Sequence, residues 1–449
     1  MNLLNARYVL QCAMTFRFRT GLLLLSGEGD DVADDTVETT PDDPPQLHIN
    51  GYVWGSLFRR TLARLMNGVS YAEKIGKYNS LDGVSPLWCE ASIIPLPLTD
   101  IRPGIQIHRA WGSNVTGHLY SQENVPPGLE VPLNFNWFWE GGPKGLEELR
   151  KLIEDALWVI NQGIENIGGG WSYGFGRLEF VKGFWRELDL NGPEHRAQLY
   201  TYEGIDEKGK PLSPSEMVPS EKIALPWIRY ILEGKIPSGQ LLAIHSPTPF
   251  LDQEINNLEL PDSFVFRRHF FTEEGYPVAE IIIPGKAVRQ TLLSVEIERE
   301  LRTKGKEVCF ALAMPNKGDI AACTCHRCRW FGSTNQRGLV AVLDAGVENP
   351  ITTVIRRVQL CEHSLQNMHL FSGEYLSQGN FKTEILLDCS DDYSLRSGLK
   401  DRIDFLLNQM SPGNSPEGWY RLGATTTSTG QLEVEKYSFE KMGGFHGSK

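Results

Sequence analysis

The sequence predicts an α+β protein of two tandem units, each built on an antiparallel sheet close to the split βαβ of ferredoxin-like folds. The prediction rests first on a repeated join. In "LHINGYVWGSLFRRTLARL", from Leu47, and "IIIPGKAVRQTLLSVEIERELR", from Ile281, an apolar strand runs through a glycine into a helix with a basic start. It rests second on the blocks around these joins, which recur in the same order. It rests third on bulk: 449 residues, 41% hydrophobic and 10% aromatic, fill two cores.

Each element follows from its own pattern. "ARYVLQCAMTFRFRTGLLLLSGEGD" from Ala6 and "IRYILEGKIPSGQLLAIHSPTP" from Ile228 both read as a strand, a polar turn with Gly, and a second apolar strand. The joins at Gly51 and Gly285 come next. "HLYSQENVPPGLEVPLNFNW" from His118 then matches "HLFSGEYLSQGNFKTEILLD" from His369. The amphipathic helices "LEELRKLIEDALWVI" and "LRSGLKDRIDFLLNQM" follow, and each leads through a Gly-bearing turn to a last strand. Five features in one order imply an internal duplication. Residues 1–190 form the first domain and 223–449 the second. The polar stretch 191–222, with "DEKGKPLSPSEMVPSE", is the linker by composition.

Charge and composition narrow the function. A net charge of −12 argues against nucleic acid unless the cations cluster locally. No apolar run is long enough to span a bilayer, and "YVLQCAMTFRF" alternates like a strand. A cytoplasmic protein without membrane contact is expected. The sequence holds no H-E-x-x-H, no G-x-S-x-G and no P-loop. His108 and His245 read as ordinary strand or loop residues.

The joins carry the first candidate chemistry. A helix N-terminus presents free N–H groups and partial positive charge, which suits phosphate. Gly55, Ser56, Arg59, Arg60 and Arg64 decorate the first helix, with Phe58, Leu62 and Leu65 on its apolar face. Lys286 and Arg289 start the second, with Val288, Leu292 and Val295 toward the core. A solvated basic face explains one such helix; two at the same point of a duplication favour phosphate binding.

Other segments add candidates. The stretch Ser26–Gln46 has eight acids and no Lys or Arg. It is either a solvated loop or the source of a carboxylate that meets a phosphate or a divalent metal. Asp262, followed by Arg267 and Arg268, precedes the second join. The Gly-rich "ENIGGGWSYGFGRLEF" from Glu165 is either a tight turn packed on the sheet or a close approach for an RNA backbone, with Trp171 or Tyr173 to stack a base. Four cysteines, Cys309, Cys323, Cys325 and Cys328, crowd one insert. The C-x-x-C of Cys325 and Cys328 can aim two thiolates at one tetrahedral Zn²⁺, with Cys323 or His326 as the fourth ligand. The first half has only Cys89 there, so one structural zinc is expected per chain.

Together these residues resemble the RAMP superfamily of CRISPR-associated proteins. "GGGWSYGFGR" resembles its glycine loop, "IIIPGKAVRQTLL" its strand–PG–helix signature, and "CHRCRWFGSTNQRGLVAVLDA" the C-x-x-C-x-x-F-G-S insert, with Gly338 and Asp344, of type III backbone subunits. The resemblance implies a tandem fusion of two RAMP domains of the RRM-like kind, as in type III-D-like systems, with irregular inserts and zinc in the second. It implies a metal-dependent RNA-guided endoribonuclease subunit that holds guide CRISPR RNA beside other type III effector subunits. It further implies a hairpin thumb, around "DIRPGIQIHRAWGSN" and "NPITTVIRRVQLCEH", that flips out a nucleotide. It implies, last, that a loop aspartate, with Mg²⁺ or another divalent ion, cuts paired target RNA.

Carried over, the catalytic residues are Asp35 and Asp262, which lie 16 and 23 positions before Gly51 and Gly285. The guide-binding residues are Gly51, Gly55, Ser56, Arg59, Arg60, Arg102, Arg109, Gly168 and Gly169, then Arg267, Arg268, Gly285, Lys286, Arg289 and Arg356. Two alternatives stand beside this: a non-catalytic guide-RNA scaffold, and a guide-processing ribonuclease.

Overall fold

The computed structural model describes residues 6–30, 33–76, 84–107, 114–246, 261–306, 308, 325–332, 337–360, 367–389, 398–411, 422, 430 and 432–443. The first half opens with β1 (Tyr8–Phe18), β2 (Gln46–Ile49) and α1 (Gly51–Ala63), then α2 (Val69–Gly76). Four strands follow: β3 (Leu87–Cys89), β4 (Ser92–Pro95), β5 (Asp100–Ile107) and β6 (Asn114–Asn124). It closes with β7 (Glu130–Trp139), α3 (Pro143–Asn161) and β8 (Leu178–Asp189). β1 alternates inward residues such as Leu10, Cys12, Met14 and Phe16 and lies between β7 and β8, antiparallel to both. Phe58, Leu62 and Leu65 are buried, as the helical spacing of the apolar face requires. The "GLLLLS" stretch makes only isolated bridges, Leu22 to Val125 and Leu25 to Val37, instead of the expected second strand.

The linker folds onto the first half. β9 (Lys210–Pro211) extends the sheet beside β8, while Ile205, Leu212 and Val218 are buried. Composition alone hides these three apolar anchors among the polar residues.

The second half repeats the plan. β10 (Trp227–Lys235) is followed by β11 (His245–Ser246), β12 (Phe264–Val265), β13 (Arg267–Phe271) and β14 (Pro277–Ile283). A continuous helix over 285–303 comes next, with a π-helical stretch at Val288–Ser294. Then come the helix His326–Phe331, β15 (Val340–Val342), β16 (Ala345–Leu360), β17 (Asn367–Asp388), the helix Leu399–Gln409 and β18 (Glu433–Met442). β10 lies between β17 and β18 as β1 lies between β7 and β8. The π turns rotate the helix faces. Leu293, Ile297 and Leu301 therefore point inward, and Val295, expected in the core, is exposed.

Long hairpins leave both sheets. β16 and β17 form one directly, with β17 running unbroken from sheet to hairpin. In the first half the same path is split into β6 and β7, because Pro126 and Pro127 cannot donate to a ladder. The halves pack closely, and one core cluster holds Leu157 and Ile160 of the first with Trp227, Leu343 and Leu386 of the second. No helix among the described residues is long and apolar enough to cross a membrane.

Candidate nucleic-acid interface

The clearest feature is a carboxylate clamp that occurs twice in the same register. Asp34 Oδ2 accepts hydrogen bonds from the Ser121 backbone N–H at 2.6 Å and the Ser121 hydroxyl at 3.1 Å. Asp262 Oδ2 accepts the same pair from Ser372, at 2.6 and 3.3 Å. Three residues on, Val37 N–H donates to Glu123 and Val265 N–H to Glu374. Between them, Asp35 bridges Gln122 and Ser263 bridges Gly373, both parallel. Both clamped aspartates are exposed, and the second oxygen of each takes no hydrogen bond from a described residue.

The structure therefore pairs Asp262 with Asp34. Asp35 matches Ser263, and its Oδ1 accepts the Gly27 N–H at 3.0 Å. Loop length explains the difference from the residue count. Thr39 bridges Leu47 where Arg267 pairs with Ile281, so the second half has six more residues in this hairpin tip. They form an arm onto the first half. Phe271 N–H donates to the Pro127 carbonyl at 2.8 Å, and His269 packs on Asp100, Nδ1 to Oδ1 at 2.6 Å. The longer tether of Asp262 lies in that arm, and its approach to the hairpin is unchanged.

The joins serve the chain before any phosphate. A Cβ on Gly51 would run into the Cys89 carbonyl oxygen, and one on Gly285 into that of Val342. Asn50 caps α1 through the Tyr52 N–H, whereas the Gly285 N–H is taken at 2.8 Å by Asp344. A buried carboxylate thus occupies the second helix start, where phosphate was expected. Burial works to raise the Asp344 pKa, and Arg102 and Arg268 outweigh it and hold it below the usual range.

Several expected RNA cations are committed inside the protein. Arg289 is 2% exposed, donates to the Val340 and Phe331 carbonyls, and is pushed down to about 10 by burial. Arg102 pairs with Asp344 across the halves. Arg267 grips Glu374 with two bonds of 2.8 and 2.6 Å, and Arg268 meets Glu280 at 2.5 Å. Arg60 donates to Glu165 and to Ser56 Oγ, so Ser56 too is engaged. Lys286 donates to Tyr120 OH at 2.6 Å and lies over the Tyr120 and Tyr173 rings. Arg59 is exposed, and open space surrounds Gly55. Arg356 is exposed on β16 directly opposite Ser372, beside the second clamp. Arg109 lies outside the described residues.

The glycine loop is an interface between the halves. Gly168 and Gly169 wrap Leu23, whose carbonyl accepts the Gly169 N–H at 2.7 Å, and a Cβ on Gly174 would strike Leu343. Trp171 is buried under the Arg337 guanidinium, 4.0 Å from its centroid, so it is not open to a base; Tyr173 faces Lys286 and Arg289. Arg177, which the sequence reading passed over, ties the loop by donating to the Ile164 and Trp171 carbonyls. Burial pushes it down to about 9.

Cys325 caps the helix His326–Phe331, its Sγ accepting the Cys328 N–H at 3.5 Å, while Cys328 is buried. Cys309 and Cys323 lie outside the described residues, and among the described residues no group of three or more His, Cys, Asp or Glu could hold a metal. His326 sets its ring edge-on to Trp330 at 5.5 Å.

Residues 55–179 match the RAMP superfamily. The match runs from within α1, through the β5–β6 hairpin and α3, to the glycine loop and the start of β8, and it supports a RAMP-type, CRISPR-associated RNA-binding subunit. No curated protein matches the chain. The antiparallel sheets with crossing helices are consistent with the ferredoxin-like folds of RAMP proteins.

Proposed function

We propose that the chain is a guide-RNA-binding backbone subunit of a type III CRISPR effector complex. Two RAMP-type units lie in series, and each offers one loop carboxylate to paired target RNA. The observation that carries this is the clamp: Asp34 and Asp262 are fixed by one oxygen and present the other to solvent at the base of a hairpin. Such a carboxylate can accept the proton of an RNA 2′-hydroxyl or bind a divalent ion. That ion, when bound, would neutralise charge on the cleaved phosphate. Arg356 stands across the strand pair from Ser372 and would meet phosphate at the second site, where the first has Pro103 opposite Ser121. Cys325 and Cys328, completed by Cys309 with Cys323 or His326, are proposed to hold a structural zinc.

The test is denaturing-gel mapping of labelled target in the assembled complex, with Mg²⁺ and with chelator. Asp34→Ala should remove one product band and Asp262→Ala another, with target binding nearly unchanged. Asp35→Ala should leave both bands. Loss of a band with Asp35→Ala and not Asp34→Ala would move the role to the neighbouring carboxylate. The scaffold reading has support of its own, because each clamp also ties a loop to a hairpin. Unchanged bands in all three variants would establish it.

A further inference from the structure

The two halves treat the same sheet edge differently. The register shift between Thr15 and Phe16 in the β1–β8 pairing matches that between Glu233 and Gly234 in β10–β18. Gly183 therefore corresponds to Tyr437 and Trp185 to Phe439. Lys400 lies over the Phe439 ring as Arg150 lies over Trp185, which agrees with this match. In the first half the edge is covered. β9 pairs with Phe184 and Trp185, and the Gly183 carbonyl accepts the Leu212 N–H at 2.8 Å. Trp185 is left 5% exposed. In the second half β18 ends the sheet, and among the described residues no strand lies on its outer side. Phe439 is 44% exposed.

An open edge offers a row of backbone N–H and C=O groups to a further strand, and proteins commonly blunt it with charge. β18 carries such charges, but their order does not repel a copy of itself. The run "EKYSFEK", Glu435 to Lys441, is complementary to its own reverse. Laid antiparallel to itself about Ser438, it sets Lys436 against Glu440, Glu435 against Lys441 and Tyr437 against Phe439. Moving the axis to Lys436 or to Glu440 sets like charges opposite, which is destabilising. The backbone agrees with the Ser438 axis. Gly183 turns its carbonyl outward to Leu212, so Tyr437 faces outward at the matching position, and Phe439, two residues on, does the same. Tyr437 and Phe439 of opposite copies then form the hydrogen-bonded pairs, and Ser438 lies on the axis between them. Lys436, Ser438, Phe439 and Glu440 are all exposed.

We propose that the outer edge of β18 is a docking surface for the same edge of a second copy of this chain, paired antiparallel about a two-fold axis at Ser438. Each copy then covers the other as β9 covers β8. The added ladder and the covering of Phe439 by the facing Tyr437 supply the attraction. The two Lys436–Glu440 pairs are exposed and add little to it; they fix the register and the choice of partner. The contact uses the same surface on both copies, so assembly closes at a dimer.

The test needs only the purified, RNA-free protein and so stands apart from any result on cleavage. Sedimentation velocity over a rising concentration series should show monomer passing to dimer and nothing larger. Lys436→Glu sets glutamate against Glu440 at both ends of the pairing, and Glu440→Lys sets lysine against Lys436. Each variant alone should lose the dimer, with a circular dichroism melt to check its folding. An equal mixture of the two should regain it as one copy of each, because every facing pair is again of opposite sign. A misfolded variant could not be rescued in this way. A wild-type protein that stays monomeric at every concentration overturns the proposal. So does a dimer that survives Lys436→Glu, or a mixture of folded variants that stays monomeric.

Discussion

Glu165 is 3% exposed and accepts from Arg64 Nε at 2.7 Å and Arg60 Nε at 3.0 Å. Burial pushes its pKa up, but Arg64, Arg60 and Arg337 pull it below the ordinary glutamate value. Arg64 also reaches Asp388 of the second half at 2.9 Å. Folding therefore depresses this carboxyl, and Asp344 likewise. Their stabilisation is fully present above the unfolded range of about 4 and is lost as the pH falls through the lower folded values. Glu165→Gln should cost about 1–3 kcal/mol, since Arg60 loses its carboxylate while Arg64 keeps Asp388. It should also flatten the acid limb of a Tm-against-pH curve; a variant with the wild-type slope would rule this carboxylate out as the source. The sequence shows these arginines as a basic stripe on α1, which invites an RNA reading. It cannot show that Glu165, Asp344 and Asp388 arrive opposite them, because those partners come from distant segments. The same blindness hid the role of Arg289.

At the scale of elements, the repeat was legible because strand and helix periods survive divergence. The "HLYS" and "HLFS" blocks fall in register, and that register later identifies Asp34. What misled the residue count was the hairpin tip, whose six extra residues shift Asp262 relative to Gly285 without altering the clamp. Turn lengths vary freely while strand registers do not, so a loop position is better counted from the paired strand than from the next helix. The join glycines give a direct test. Gly51→Ala and Gly285→Ala push a methyl into the Cys89 and Val342 carbonyls, and each should cost about 1–3 kcal/mol in urea unfolding. Gly55→Ala, in open space on α1, should stabilise slightly by helix propensity. If Gly51→Ala is as mild as Gly55→Ala, the close approach of β3 to α1 is not what requires glycine there.

Across the whole molecule, the two sheets share a core at Trp227, Leu343 and Leu386 and a buried ion network at Arg64. Calorimetry should therefore show one cooperative transition, with calorimetric and van't Hoff enthalpies equal. Two separated peaks would mean that the halves fold as independent domains. Zinc should be close to one per chain by metal analysis, and Cys325→Ser should lower it and loosen the insert. A content near two, or near zero, would remove the cysteine cluster from the account.

The covalent join between the halves changes how their contact behaves on dilution. Segment 191–222 is anchored to the first sheet through β9 and leads straight into β10, so the second half is held beside its docking face. Two separate proteins with the same Asp100–His269 and Arg102–Asp344 contacts would come apart as their concentration fell. Here the effective concentration is fixed by the tether, on the order of millimolar for a short connection. Two clamped aspartates therefore keep a constant spacing at any abundance of the protein, and any extended ligand laid across both halves would meet them as a pair.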